Sequence, residues 1–287
     1  MSNSTFVWIK DIKLSGHLPT ANCEFISDHE TIQAITSAEI ARNCQISYGL
    51  AQINASQDSN GNIVICAIRP IKSQCSEQTY LQLVDMIDFP NKNLMGRFFK
   101  LISLVTFAEL KPFTNYILSK PDVLKLYIQS QASFQHHHAY KNGLFEHSIE
   151  VAEMTYQNAR HLKHPEIECQ TGLIAGLFHD IGKIYPQLQN QSDDYIGGPH
   201  ESYNFALLAN PLGELGTLNS KVFSMLSDLL SAKPYGHKTR YAIEFVLKQA
   251  DRTSAESNFV KRKFEKLPEH YYFTKVNGSV MYRLNSL

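Results

Sequence analysis

The sequence predicts an α+β fold: a small N-terminal β-domain over residues 1–75, an all-α helical bundle over 76–262 and a short β-hairpin extension over 263–287. Three observations lead to it. Strand-prone runs dominate as far as Pro70 and meet near Asn60-Gly61, a strong hairpin dipeptide. Apolar residues then recur at spacings of three and four, as on helices with one buried face. Alternation returns at the end of the chain, around Asn277-Gly278.

In chain order, Gln45 to Ile53 and Asn62 to Ile68 read as strands joined by a polar turn. The size of this region and its closing hairpin suit a five-stranded barrel of the OB type, a common platform for single-stranded nucleic acid. Any small antiparallel sheet would give the same pattern. "IKSQCSEQ" then bridges to a helical region whose first segments are "QTYLQLVDMI" and "NLMGRFFKLISLVTFAEL". Pro112 and Pro121 punctuate the helices that follow, which continue to about residue 262. "HYYFTKVNGSVMYRL" forms the terminal hairpin.

Composition narrows the function classes. With 287 residues, 43% of them apolar, the chain can bury a full core. Lys+Arg and Asp+Glu are equal at 27 each, so no global field draws the protein to nucleic acid or membrane, and an anionic partner must be bound locally. Cys23, Cys44, Cys66, Cys75 and Cys169 are odd in number, form no CxxC pair and follow no signal peptide, which fits reduced thiols in the cytoplasm. No stretch approaches the roughly 18 apolar residues that a membrane span needs, so the expectation is a soluble protein with no membrane partner.

The candidate chemistry lies in the helical part, where eight of the twelve histidines fall between residues 136 and 200. On a helix, His147 shares a face with Glu150, Val151 and Met154, which leaves its ring half buried. In "CQTGLIAGLFHDIGKIY" the face holding His179 also carries Gly172, Ala175, Gly176 and Lys183. Small residues there admit a second helix within reach of His179 and Asp180. Asp251 follows the apolar positions Phe245, Val246 and Leu247 and shares a face with Leu247 and Ser254; a buried aspartate is costly unless paired or bound to metal. Mutual hydrogen bonding of His179 and Asp180 inside a core is the default for a lone pair and weakens for three separated pieces. One divalent cation satisfies all three, and imidazole with carboxylate suits Mn2+, Fe2+, Ni2+ or Zn2+.

These residues resemble the H…HD…D pattern of the HD-domain metal-dependent phosphohydrolases, with His147, His179, Asp180 and Asp251 where the pattern requires them. "HHHAYKNGLFEHSIEVA", "GLFHDIGK" and "QADRTSAE" are similar to the HD domain of MOBH-type conjugative relaxases. They are also similar to bacterial 3′-to-5′ exoribonucleases that join an OB-like domain to an HD domain. The likeness covers about residues 90 to 258.

The resemblance implies one metal held by the four ligands, or two ions if His200 and His237 join them, with Asp180 as the bridge and two-metal hydrolysis as the mechanism. In either case the metal is expected to lower the pKa of a bound water towards neutrality, so that it loses a proton and the resulting hydroxide attacks phosphorus. Lys183 is placed to offset charge on phosphoryl oxygens, and a helix C-terminal cation would look the same. Of His136, His137 and His138, at least one is expected to face the pocket and touch phosphate or a metal-held water, with Tyr140 near the rim. Asp180, Lys183, His137 and His138 are therefore the candidate catalytic residues. The expected partner is a nucleotide or single-stranded nucleic acid, hydrolysed as by a phosphodiesterase or nuclease. A small-nucleotide phosphohydrolase and a catalytically silent metal- or ligand-binding module in DNA transfer or regulation are the alternatives. His17 and His29 are expected to be dispensable.

Overall fold

The computed structural model describes residues 3–27, 30–44, 49–70, 92–133, 138–188, 199–276 and 278–283. The bridge "IKSQCSEQ", the segment "QTYLQLVDMI", Cys75, His29, His136 and His137 lie outside the described residues.

The N-terminal strands are β1 (Asn3–Leu14), β2 (Thr20–Ser27), β3 (Glu30–Ser37), β4 (Gly49–Gln57) and β5 (Ile63–Pro70), with the short helix α1 (Ala38–Asn43) between β3 and β4. They close into a barrel of order β1-β2-β3-β5-β4, the OB arrangement that the sequence left open against a plain antiparallel sheet. Closure depends on one parallel pairing, Ile35 with Val64 and Thr36 with Ile65, reinforced where the buried Thr36 hydroxyl donates to the Ile65 carbonyl at 2.9 Å. A pairing of this kind leaves no trace in local alternation. Val7, Ile9, Cys23, Phe25, Ala34, Ala51, Ile53, Ile65 and Ile68 fill the interior. Burial pushes the Cys23 thiol up to about 12, so it packs as a small apolar group. The β4–β5 turn is held by Asp58, whose carboxylate accepts from the Asn60 and Asn62 amides at 2.8 Å each, while Gly61 takes φ +82°.

The helices are α2 (Lys92–Ser103), α3 (Lys111–Ser119), α4 (Pro121–Gln129), α5 (Gly143–His161), α6 (Glu166–Phe178), α7 (Tyr185–Leu188), α8 (Glu201–Leu218), α9 (Ser220–Leu230) and α10 (Ile243–Glu265). Pro112 and Pro121 sit in the first turns of α3 and α4, where a missing N–H costs nothing. Helix α6 is the axis of the bundle: Cys169 through Phe178 are all buried, as expected of a helix apolar on every side. It packs against α5, α9 and α10. Arg97 of α2 grips Glu153 of α5 through two parallel bonds of 2.9 and 2.6 Å.

Trp8 of β1 is buried in the helical core rather than in the barrel, and β4 lies against α3 and α4. Helix α4 in turn abuts the 3-10 turn Ile181–Ile184, and its buried Tyr127 hydroxyl donates to the Leu177 carbonyl at 2.5 Å. The barrel is thus seated on the helix that braces the His179-Asp180 segment. At the C-terminus β6 (Phe273–Val276) pairs antiparallel with β7 (Ser279–Tyr282) around Gly278 at φ +82°, the hairpin the alternation predicts. Among the described residues no helix is long and apolar enough to cross a membrane.

Candidate metal centre

Two glycines bring the site together. An added Cβ at Gly176 would lie 2.7 Å from the Ala152 Cα, so only glycine lets α6 approach α5 closely enough to set His179 beside His147. At Gly182 the same atom would fall 2.0 Å from the His200 carbonyl oxygen. That close approach lets the start of α8 reach the segment after α6. Asn204 clamps the junction: its amide donates to the His179 carbonyl at 2.5 Å and to the Leu230 carbonyl at 3.2 Å, and its oxygen accepts from the Gly182 N–H at 2.7 Å.

The four residues of the H…HD…D order converge. His147 Nε2 is 3.1 Å from Asp251 Oδ1 and 3.7 Å from Asp180 Oδ2; His179 Nε2 is 3.8 Å and 3.6 Å from the same two oxygens. One donor atom each from His147, His179 and Asp180 lies within 4.8 Å of the others. His200 Nε2 reaches Asp180 Oδ1 at 2.7 Å, and Lys183 Nζ reaches Asp180 Oδ2 at 2.6 Å.

The donor set suits a cation. His179 Nδ1 lies 2.9 Å from the Gly176 carbonyl, which can only accept, so Nδ1 carries a proton and Nε2 is the ring atom that faces the carboxylates. That Nε2 is buried and has no hydrogen-bond partner among the described residues. Two imidazole nitrogens and two carboxylates around one point make a nitrogen–oxygen ligand field of the kind first-row divalent ions favour.

Electrostatics agree. Burial alone would lower His179, but Asp180 and Asp251 outweigh it and raise the ring to about 9. For His147 burial wins and holds the ring below its ordinary range, although the nearby Asp251 and Asp180 carboxylates favour its charged form. Burial works to raise Asp180, yet His179, the bond from His200 and Lys183 hold it well below the usual carboxylate range. Asp251 is held low in the same way by His147 and His179. The centre therefore keeps two anionic carboxylates and holds a proton on His179 where a metal ion would supply the positive charge.

Several expectations are corrected. His147 is fully buried rather than half buried, because α6 and α10 both cover its face of α5. Asp251 is the exposed member, its side chain at 48% exposure on the open side of the site, so solvent eases its charge. Helix α6 ends at Phe178, and Lys183 stands on the 3-10 turn Ile181–Ile184, not on a continued helical face with His179. Its ammonium is paired with Asp180.

His138 does not line an open pocket. It is buried, its ring centroid is 5.2 Å from that of His147, and its Nε2 is 3.3 Å from Glu150 Oε2. Tyr140 turns inward as well, donating to Glu146 and accepting from Asn258, each at 2.9 Å.

His237 is not among the contacts of Asp180 either. Its Nε2 lies 3.2 Å from Glu244, in a second cluster with Asp228. Glu244 is only 1% exposed in the first turn of α10, and a buried carboxylate draws the nearest cations and donors to it. Lys248 Nζ is 2.5 Å from Glu244, and Lys233 Nζ is 3.0 Å from Asp228.

Glu150, Ser254 and Asn204 are the site residues that sequence reasoning missed as partners. For the first two a signal existed. Glu150 follows His147 by three positions and Ser254 follows Asp251 by three, each on the helix face that carries a ligand.

Residues 144–256 match the model of one protein family, the HD domain. The match spans the four converging residues and supports the HD-domain superfamily of metal-dependent phosphohydrolases for this part of the chain. No curated protein and no solved structure matches the chain.

Proposed function

We propose that this chain is a phosphodiesterase or nuclease that hydrolyses phosphate esters of single-stranded nucleic acid or nucleotides with a divalent metal ion. The observation that carries it is the convergence of His147, His179, Asp180 and Asp251, two inward-facing nitrogens with two ionised carboxylates. Bound there, such an ion supplies Lewis acidity and a water acidified towards neutral pH.

The remaining work falls to side chains of the protein. His147, His179, Asp180 and Asp251 hold the ion, and His200 stays the candidate ligand for a second one. Lys183, already against Asp180, brings positive charge to the place where a phosphoryl group carries negative charge. Asn204 keeps the His179-to-Gly182 backbone in register with α8. Because Asp251 is half exposed, the centre is open on its side, which gives a phosphodiester a way in.

Support for a single-stranded substrate comes from the barrel. Its OB order is a frequent scaffold for single strands, and Trp8 and β4 seat it on the body that contains the centre. The likeness to exoribonucleases that pair an OB-like domain with an HD domain points the same way. One observation favours a small nucleotide instead: equal counts of 27 acidic and 27 basic residues give no field to gather a polyanion.

Metal analysis of the purified protein, with turnover measured on single-stranded RNA, single-stranded DNA, cyclic dinucleotides and a chromogenic phosphodiester, tests both readings. Metal at about one or two ions per chain and cleavage of a single strand are the expected results. Cleavage of cyclic dinucleotides alone would replace the polymer reading, and bound metal without turnover on any ester would leave a ligand-binding module.

A further inference from the structure

We infer that Ser254 and Glu150 are positioning residues that fix the tautomer of His147, so that its Nε2 lone pair stays available to a metal ion. The inference rests on the reading of the centre as a cation site.

The Ser254 hydroxyl has one proton and two neighbours. Its Oγ is 2.6 Å from Glu150 Oε2 and 2.9 Å from His147 Nδ1. The shorter contact has the length of a hydroxyl bonded to an ionised carboxylate. Glu150 stays ionised because the bonds it accepts from His138 and Ser254 outweigh its burial. The hydroxyl proton therefore goes to Glu150, the hydroxyl oxygen is left to accept, and His147 Nδ1 must be the donor.

The consequence appears on the other edge of the ring. With the proton on Nδ1, Nε2 faces Asp251 Oδ1 at 3.1 Å with a lone pair against an anion. A cation between them makes that arrangement favourable. Without Ser254 the ring is free to move its proton to Nε2 and donate directly to Asp251, closing the site on itself.

His138 belongs to the same chain of contacts. Its Nε2 meets the Glu150 oxygen that Ser254 uses. The position of His138 follows: it holds Glu150 rather than a phosphate. Partners of metal-ligating histidines commonly set affinity in this way.

Two measurements test the inference, nitrogen NMR of the histidines in the metal-free protein and Co2+ binding in competition with a chelator, both read on folded variants. Wild type should show His147 protonated at Nδ1. Ser254→Ala should move that proton to Nε2, weaken Co2+ binding about 10- to 100-fold and alter the visible spectrum of the bound ion. Ser254→Thr, which keeps the hydroxyl, should restore all three, and Glu150→Gln should weaken binding less than Ser254→Ala.

Co2+ affinity of Ser254→Ala within about twofold of wild type, with Nδ1 still protonated, overturns the inference, as does equal loss in the Ala and Thr variants. Asp180→Ala separates it from the reading beneath it. If that variant loses Co2+ while Ser254→Ala does not, the centre stands and the positioning role falls; if wild type binds no Co2+, both fall.

Discussion

Two clusters of the helical domain use the same residue types to opposite ends. Around Asp180, three histidines and two carboxylates meet, and Lys183 touches one oxygen of one carboxylate. Around Glu244, Asp228 and His237 meet a comparable set of charges, but Lys233 and Lys248 each sit on a carboxylate. In the second cluster each of the two carboxylates has its own ammonium group. The first leaves the Nε2 atoms of His147 and His179 directed at carboxylate oxygens, so an added cation improves it. Residue identity does not separate the two clusters; where the ammonium groups lie does.

The largest expected difference comes from removing one carboxylate from the first cluster. Asp180→Ala should lose most bound metal and at least about a hundredfold in turnover, read by metal analysis and phosphodiester hydrolysis. Unchanged metal content and rate would remove the contrast between the clusters.

Metal-free protein should also be sensitive to alkali. His179 is raised to about 9 in the folded state against 6.5 when unperturbed, so the folded chain keeps a proton that the unfolded chain releases. Its contribution is complete below about pH 6.5 and is lost as pH rises through 9, a fall of the order of 3 kcal/mol in urea unfolding. Saturation with metal should flatten this dependence, since the ion replaces the proton.

A change in the second cluster should act on stability alone. Glu244→Ala removes the partner of Lys248, while Lys233 keeps Asp228 at 3.0 Å, and is expected to cost about 2 kcal/mol in urea unfolding, less than a fully buried pair because Lys248 can turn to water. Metal content should not change; a variant that loses metal would make Glu244 part of the centre.

The smallest effects concern the histidines outside the four converging residues. His237→Ala should keep metal content and turnover within about twofold of wild type, while His200→Ala costs about tenfold in one or both. His17, exposed in the turn after β1, should be silent in the same assays.

The fold was legible wherever the signal is local. The Asn60-Gly61 dipeptide marks a real hairpin, the alternation around Gly278 marks another, and the three- and four-residue spacing marks real helices, because turn chemistry and side-chain periodicity act within a few residues. The closure of the barrel was not, since its β3–β5 pairing joins residues 29 apart at Thr36 and Ile65. At the site, the burial of His147 and the exposure of Asp251 were misjudged for a related reason. Apolar spacing tells which face of a helix turns inward, but not how deeply a neighbouring helix covers each position on it.

The chain by itself determined which side chains could serve as ligands, the order in which they come and the helices that carry them, because these depend on residue identity and short-range periodicity. Tertiary structure alone decided which ions neutralise one another. His147 meets Ser254 across 107 positions, and Lys233 and Lys248 reach a different cluster from Lys183. Ion pairing and tautomer choice are set by distances of a few ångströms between segments remote in the chain, and those distances exist only once the helices have packed.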